Sequence, residues 1–237
     1  MKKVIISLFF ALLLGLTQSQ ARERTNRETD MVAMTMTTNK YGIVKIILNG
    51  NGMATIDWGN GRKTRKFASG RVVFTHHYFN RSSRTITVYG QNITYLDCSG
   101  NKLTNLDVSN NAALKTLYCS KNQLTYLDVS QNTALMFLDC SKNQLNNLDV
   151  SHNSALINLV CTKNQLTSLD VSRNSALTFV NCRNNQLTAE ALNDFFHTLN
   201  NAKKEGKILY IRNNHGTFAS NQSVATSRWW LIDTSFI

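Results

Sequence analysis

Cysteine and histidine are the residues of this chain whose types could do chemistry, and their spacing decides which chemistry is open to them. Five cysteines recur at a constant interval of 21 residues: Cys98, Cys119, Cys140, Cys161 and Cys182. Thiols can ligate zinc, form disulfides or attack a substrate, but no histidine accompanies this row at a ligand spacing. The constant interval therefore indicates a structural repeat before it indicates a reactive site.

A second candidate is the segment His76-His77-Tyr78, which follows Asp57 in the chain. Such groups could bind a metal or act as an acid and a base. Neighbouring side chains of a strand point to opposite faces, so the two imidazoles are not expected to share one ion. No triad order, phosphate-binding glycine loop or zinc spacing occurs elsewhere in the sequence. We therefore predict that the chain is not an enzyme and carries no metal and no cofactor.

The cysteines belong to a sequence repeat that extends from residue 93 to residue 187. Units such as LKTLYCSKNQLTYLDVSQNTA carry the Leu-x-x-Leu-x-Cys/Leu-x-x-Asn-x-Leu skeleton of a leucine-rich repeat, five times in register. A unit this short cannot bury its own apolar face, so it must stack on its neighbours. The predicted fold is a leucine-rich-repeat solenoid with short parallel β-strands and an irregular convex side.

Two rows of identical side chains are expected to hold this solenoid together. Stacked rungs lie about 4.8 Å apart with parallel side chains, whereas a disulfide needs convergent Cβ atoms about 3.8 Å apart. The five cysteines are therefore predicted to form a reduced, buried ladder of small apolar groups. A second ladder, which includes Asn122, Asn143 and Asn164, is expected to bond buried backbone groups. A calcium site at the repeated Asp-x-Ser-x-Asn is the rival interpretation of that text.

The rest of the chain is divided into three segments that lie outside the repeats. Residues 1–21 begin with Lys2 and Lys3, continue through an apolar run and end in Ser19-Gln20-Ala21, the pattern of a cleaved signal peptide. Residues 22–92 alternate apolar and polar residues between Asn-Gly turns, which predicts a small antiparallel β-domain that caps the first repeat. Residues 188–237 are predicted to form an α/β C-terminal cap. The chain is thus expected to be exported, either secreted or at the cell surface, with the periplasm as the alternative.

The best candidate for a binding face lies on the predicted strands of the cysteine-containing half-units, which we favour as the wider sheet. Side chains that flank the buried leucines point outward, and four of these positions are aromatic, an enrichment typical of recognition surfaces. A lysine row with the same period lies nearby. The predicted concave face comprises Tyr95, Asp97, Tyr118, Phe137, Asp139 and Phe179 together with Lys121, Lys142 and Lys163. The competing interpretation is an ordinary solvated surface.

Charge suggests a different binding class. Residues 22–92 hold twelve Lys and Arg against four Asp and Glu, whereas residues 93–237 hold twelve against ten. The cluster Arg62, Lys63, Arg65 and Lys66 could therefore hold a polyanionic glycan. Nucleic acid is not the expected partner, because the charge signal is unspecific, and a solvated hairpin without a ligand is the competing interpretation of the cluster. A third alternative is an envelope structural protein without a dedicated ligand.

The repeated Leu-x-x-Leu-x-Cys-Ser-x-Asn-Gln-Leu-Thr-x-Leu-Asp-Val-Ser-x-Asn-x-Ala resembles the cysteine-containing repeats of internalin-J-like bacterial surface proteins. The segments ATIDWGNG and HHYFNRSSRTITVYG are similar to PKD-like β-modules, although Asn60 stands where that pattern has an acid. The tail from KILYIRNN resembles the C-terminal segment of secreted repeat proteins. The resemblance implies adhesion through the concave repeat face without catalysis, with a host surface or matrix protein as the candidate partner.

Overall fold

The computed structural model describes residues 32–233, and the predicted signal peptide at 1–21 lies outside the described residues. From Ala33 onward the chain forms one compact unit. Its described elements comprise fourteen strands and two helices, listed here in chain order: β1 Val32–Thr38, β2 Gly42–Asn49, β3 Met53–Asp57, β4 Lys63–Phe67, β5 Val72–Tyr78, β6 Arg84–Gly90, β7 Tyr95–Asp97, β8 Leu103–Asp107, β9 Thr116–Tyr118, β10 Phe137–Asp139, β11 Asn158–Val160, β12 Phe179–Asn181, α1 Ala189–Thr198, β13 Ile208–Tyr210, α2 Ser223–Ser227 and β14 Leu231–Asp233.

The repeats build a parallel sheet from their cysteine-containing half-units. Strand β9 pairs in parallel with β7 and β10, and the series continues through β11 and β12. In every pairing the central residues align, as Leu117 does with Leu138, and both side chains are buried. The solenoid fold predicted from the repeat text is therefore present, with its wider sheet on the cysteine side. In the other half-units only the first repeat has a strand among the described residues, β8.

Strands before the repeats continue both sides of the solenoid. Strand β2 pairs antiparallel with β7, and β5 pairs antiparallel with β2, which makes a nine-stranded sheet in the order β14-β13-β12-β11-β10-β9-β7-β2-β5. Strand β1 pairs antiparallel with β8 and joins a five-stranded sheet in the order β4-β3-β6-β1-β8. Buried side chains of both sheets, including Ile56, Phe74 and Ile86, belong to the same hydrophobic core as the repeat leucines.

The segment after the last repeat imitates a further rung. Strand β13 pairs in register with β12, and Ile211 takes the slot that cysteine occupies in the repeats. The amide of Asn214 donates to the carbonyl oxygen of Cys182, as a ladder asparagine would. Strand β14 then adds one more parallel strand. Between these two strands, α2 ends at Ser227 and Trp229 has a positive φ of 66°.

Two buried ladders fix the distance between rungs. Every cysteine is free and buried, and the thiol of Cys140 points at the carbonyl oxygen of Val160 on the next rung, 3.7 Å away. The side chain of Asn143 donates to the carbonyl oxygens of Cys119 and Cys140, both at 3.0 Å, and accepts from the backbone N–H of Leu124. Backbone groups that cannot reach water are thereby paired across rungs, which makes the sheet a stiff platform.

Candidate binding face

The outer face of the nine-stranded sheet, defined as the side opposite the hydrophobic core, presents two rows of side chains along the repeats. Strand registers align the first row as Tyr95, Thr116, Phe137, Asn158 and Phe179, and the second as Asp97, Tyr118, Asp139, Val160 and Asn181. Apart from Tyr95 these side chains are partly exposed. The sheet thus brings together six residues that the sequence assigned to the concave face: Tyr95, Asp97, Tyr118, Phe137, Asp139 and Phe179.

Tyr95 differs from the other aromatic residues of this face because it is almost covered. Only 9% of its surface is exposed. The guanidinium of Arg71 lies over its ring, and the ring of Tyr118 packs edge-on with 5.6 Å between centroids. Burial raises the pKa of the Tyr95 hydroxyl. The sequence assigned Tyr95 to the binding face, and there it is almost covered and supports Tyr118 from the side. Phe137 and Tyr118 are the partly exposed rings at the centre.

A matching aromatic cluster closes the other end of the face. The ring centroids of Phe179 and Tyr210 are 5.6 Å apart, and the guanidinium of Arg183 lies 4.3 Å from the Tyr210 centroid. Sequence reasoning missed Tyr210 as a face residue, because the strand that carries it lies outside the repeats. The signal was available, since aligning β13 with β12 places Tyr210 beside Asn181.

The carboxylates on the face accept hydrogen bonds from the backbone of the turns that follow them. Asp97 and Asp139 each accept a hydrogen bond at 2.9 Å from the backbone N–H two residues later, at Ser99 and Ser141. This local bond holds the carboxylate close to the sheet edge. The face therefore combines accessible rings with carboxylates whose positions are fixed, a surface suited to shape-specific contact.

The lysine row lies along the edge of the face, three residues beyond the second row of each rung. Lys121, Lys142 and Lys163 are exposed, and their φ values of 56°, 55° and 57° are in the left-handed region. This conformation disfavours every residue with a Cβ except Asn and Asp, which tolerate it best. The same position in other rungs holds Gly100, Asn184 and Asn213, so the central rungs keep lysine where the chain elsewhere uses easier residues. Backbone strain of this kind is often retained for function.

The four basic residues assigned to polyanion binding do not share one surface. Strand β4 pairs with β3 so that Thr64 faces the buried Ile56, which places Lys63 and Arg65 on the solvent side of the five-stranded sheet. Lys63 forms an ion pair with Asp57 at 3.1 Å. Lys66 bonds the carbonyl oxygen of Val73 instead, at 2.7 Å. Arg62 lies in the turn before β4. The cluster is therefore contiguous in sequence and divided in space.

The two histidines point to opposite sides of β5, as their adjacency predicts. His76 stacks on Trp58 with 5.1 Å between centroids, and burial lowers its pKa. His77 lies on the outer face between the rings of Tyr41 and Phe79. Within residues 32–233 no group of three or more His, Cys, Asp or Glu side chains is placed to hold a metal ion. Over that same range, no helix has the length and apolar character needed to cross a membrane.

Solved structures that are similar to this chain include three leucine-rich-repeat proteins. The functional domain of InlJ from Listeria monocytogenes, which includes a cysteine ladder, is 36% identical over 56% of this chain and 28% of that chain, with a TM-score of 0.45. The internalin InlF from the same species is 21% identical over 55% of this chain and 37% of its own, with a TM-score of 0.46. A leucine-rich-repeat protein from Leptospira interrogans is 19% identical over 53% of this chain and 38% of its own, with a TM-score of 0.42.

Neither a protein-family model nor a curated protein matches the chain. The three solved proteins are much longer, since the chain aligns with less than two fifths of each of them. Over about half of its own length, this chain resembles the internalin-like leucine-rich-repeat proteins.

Proposed function

We propose that this chain is an exported, non-enzymatic recognition protein that binds a protein partner through the outer face of the nine-stranded sheet. The observation that carries the proposal is the pair Phe137 and Tyr118. The two rings lie on adjacent strands, in neighbouring rows, and both remain partly exposed at the centre of a continuous face. Aromatic side chains in the centre of a flat, ordered surface are typical of the residues that dominate binding energy at protein interfaces.

The platform reduces the entropy cost of such binding. Asparagine and cysteine ladders hold the backbone of each rung from inside, and Tyr95 and Tyr210 brace neighbouring rings at the two ends. Little conformational freedom is therefore lost when a partner covers the face, and preorganised surfaces gain affinity in this way. A small-molecule site is less well supported. A shallow cavity of about 220 Å³ beside Asp149, Asp170 and Arg173 is smaller than most ligand pockets and lies on the other half-units.

The partner is proposed to be a host surface or matrix protein, and affinity capture tests this. The purified chain and the Tyr118→Ala/Phe137→Ala variant are each presented to epithelial and matrix extracts. A protein captured by the parent alone is identified by mass spectrometry, purified and titrated against both. We expect the double variant to lose at least about a hundredfold in affinity while its thermal melt stays near that of the parent.

Phe218→Ala provides a matched control, because Phe218 is 94% exposed and lies outside the strands of the face. This variant should bind like the parent. Equal capture by parent and double variant that disappears at high salt would move binding to the basic residues before the repeats and contradict the proposal. Unfolding of the double variant would assign Tyr118 and Phe137 to the core, which would also contradict it.

A further inference from the structure

An apolar patch on the strands that precede the repeats forms a second surface, distinct from the rings of the repeat strands. Tyr41, Ile43, Val73, His77 and Phe79 define this N-terminal patch. The exposed fractions of Tyr41, Ile43, Val73 and Phe79 are 58%, 57%, 41% and 81%. Cross-strand pairing aligns Ile43 with His77, and the His77 ring lies 4.4 Å from the Phe79 ring and 6.2 Å from the Tyr41 ring, centroid to centroid. Four large apolar side chains thus remain exposed together, which marks an interaction site more often than a tolerated surface.

The charge within this patch is positive. Lys45 lies between Ile43 and Ile47 on the same face of β2, and it pairs across the sheet with Thr75. The lysine is exposed, with apolar side chains two residues away on either side. Arg71 stands just before β5, at the border with Tyr95. A cation between apolar groups is complementary to a carboxylate between apolar groups.

The segment that carries the N-terminal patch has few carboxylates that could neutralise the positive charge of the patch. Residues 33–92 hold nine Lys and Arg but a single acidic residue, Asp57. Asp57 lies on β3 of the other sheet, where it pairs with Lys63. The nearest repeat carboxylate is that of Asp97, which aligns with Ile47 at the border of the patch and accepts a bond from Ser99. A second copy of the chain would place Lys45 and Arg71 against like charges, so self-association through this patch is disfavoured.

We propose that the N-terminal patch binds a protein segment that presents an Asp or Glu carboxylate between two apolar side chains, with Lys45 contacting the carboxylate and Ile43, His77 and Phe79 contacting the apolar groups. In an extended segment, alternate residues face the same way, so the complementary pattern is apolar-x-acidic-x-apolar. This surface works independently of Phe137 and Tyr118, because β7 and its covered Tyr95 separate the two.

The test uses two synthetic peptides that differ in one side chain: tandem Leu-Ser-Glu-Ser-Leu and tandem Leu-Ser-Lys-Ser-Leu. Each is titrated into the isotope-labelled chain, and amide chemical shifts are followed by NMR. We expect the Glu peptide to shift signals at Ile43, Lys45, Thr75 and His77 and to bind at least about tenfold more tightly than the Lys peptide. Lys45→Glu should reverse the preference, and Phe79→Ala should weaken binding about tenfold.

Controls separate this proposal from the function proposed for the repeats. Phe137→Ala and Phe218→Ala should both leave Glu-peptide binding unchanged, and the amide spectra of all variants report whether the fold is kept. Equal affinity for the two peptides, or shifts confined to Tyr118 and Phe137, would overturn the proposal. So would tight binding of a heparin oligosaccharide that Ile43→Ser leaves intact, since that assigns the charge to a polyanion. Concentration-dependent line broadening without peptide would assign the patch to a second copy.

Discussion

The guanidinium carbon of Arg71 lies 4.5 Å from the centroid of the Tyr95 ring and covers its outer side. Arg71 lies just before β5, in the part of the chain that precedes the repeats, and Tyr95 begins the first strand of the repeat series. The contact therefore removes from solvent a ring that the repeat pattern alone leaves on the surface. Burial is also the main cause of the raised pKa of Tyr95, followed by the nearby charge of Asp97.

Tyr95→Ala is accordingly expected to act on stability, whereas Phe137→Ala is expected to act on binding. Truncating the buried Tyr95 should lower the free energy of unfolding by about 3 kcal/mol. Phe137 is partly exposed, so its truncation should cost less than that of Tyr95, about 1 kcal/mol. Urea unfolding of both variants measures the difference. Equal losses would mean that the two rings are buried to the same degree and that Tyr95 is not covered in solution.

Replacing a lysine that has a left-handed backbone conformation is expected to stabilise the chain. Lys142→Asn places at φ 55° a residue that tolerates this conformation better, so the free energy of unfolding should rise by about 0.5–1 kcal/mol. Thermal unfolding should show an increase in Tm of about 1–4 °C. Lys115→Asn is the matched control, because Lys115 is exposed but does not have a positive φ. A gain in both variants would trace the effect to charge rather than to the backbone.

The parts of the fold that could be predicted from the sequence are those whose pattern is repeated along the chain. The 21-residue interval established the parallel strands, their register and the inward side of each leucine, because every rung repeats the same constraint. The strand β4 was not predicted. Its sequence, Lys-Thr-Arg-Lys-Phe, lacks apolar alternation because it lies at the edge of its sheet, and edge strands are often basic.

Exposure of the candidate residues was harder to predict than their direction. Alternation correctly placed Tyr95 on the outer face, but the covering by Arg71 is a contact between residues 24 positions apart that no local pattern encodes. The N-terminal patch was missed for a related reason. Ile43 and His77 become neighbours only through the pairing of β2 with β5, and each is unremarkable in its own strand.

The two asparagine rows are expected to differ in what they contribute to stability. Asn143 uses both ends of its amide, donating to two carbonyl oxygens and accepting from the N–H of Leu124. Asn153 donates to the carbonyl oxygens of Val129 and Asn132, but its Oδ1 has no hydrogen-bond partner among the described residues. Removing Asn143 leaves an additional buried N–H unpaired, and an unpaired buried group costs about 1–3 kcal/mol.

Asn143→Ala should therefore destabilise the chain more than Asn153→Ala, by about 1–2 kcal/mol in the free energy of unfolding. Denaturant unfolding of the two variants measures this difference in the free energy of unfolding. An unchanged m-value shows that the comparison reports stability alone. Gln144→Ala, at an exposed neighbour of Asn143, should have an effect within about 0.5 kcal/mol. If Asn153→Ala proved the more costly, its Oδ1 would have to accept a bond that the structure does not contain.

The cysteine ladder predicts a loss of stability at alkaline pH. Burial raises the pKa of every ladder thiol, that of Cys182 to about 12, whereas the unfolded chain releases these protons near the ordinary thiol pKa of 9.0. Above about pH 9 the unfolded state binds fewer protons than the folded state, so the free energy of unfolding falls as the pH rises toward the folded pKa values. Each thiol should contribute a slope of about 1.4 kcal/mol per pH unit between about pH 9 and 12.

Cys140→Val isolates one of these contributions. Valine already fills the equivalent buried slot of the other half-unit at Val150, so stability at pH 7 should change by less than about 1.5 kcal/mol. Other groups that titrate in the alkaline range do so in both proteins and cancel in the comparison. The free energy of unfolding should therefore fall less steeply with pH in the variant. The difference in slope should equal the contribution of one thiol, about 1.4 kcal/mol per pH unit. Identical slopes would mean that Cys140 ionises as readily in the folded chain as in the unfolded one, which a dry, reduced ladder does not allow.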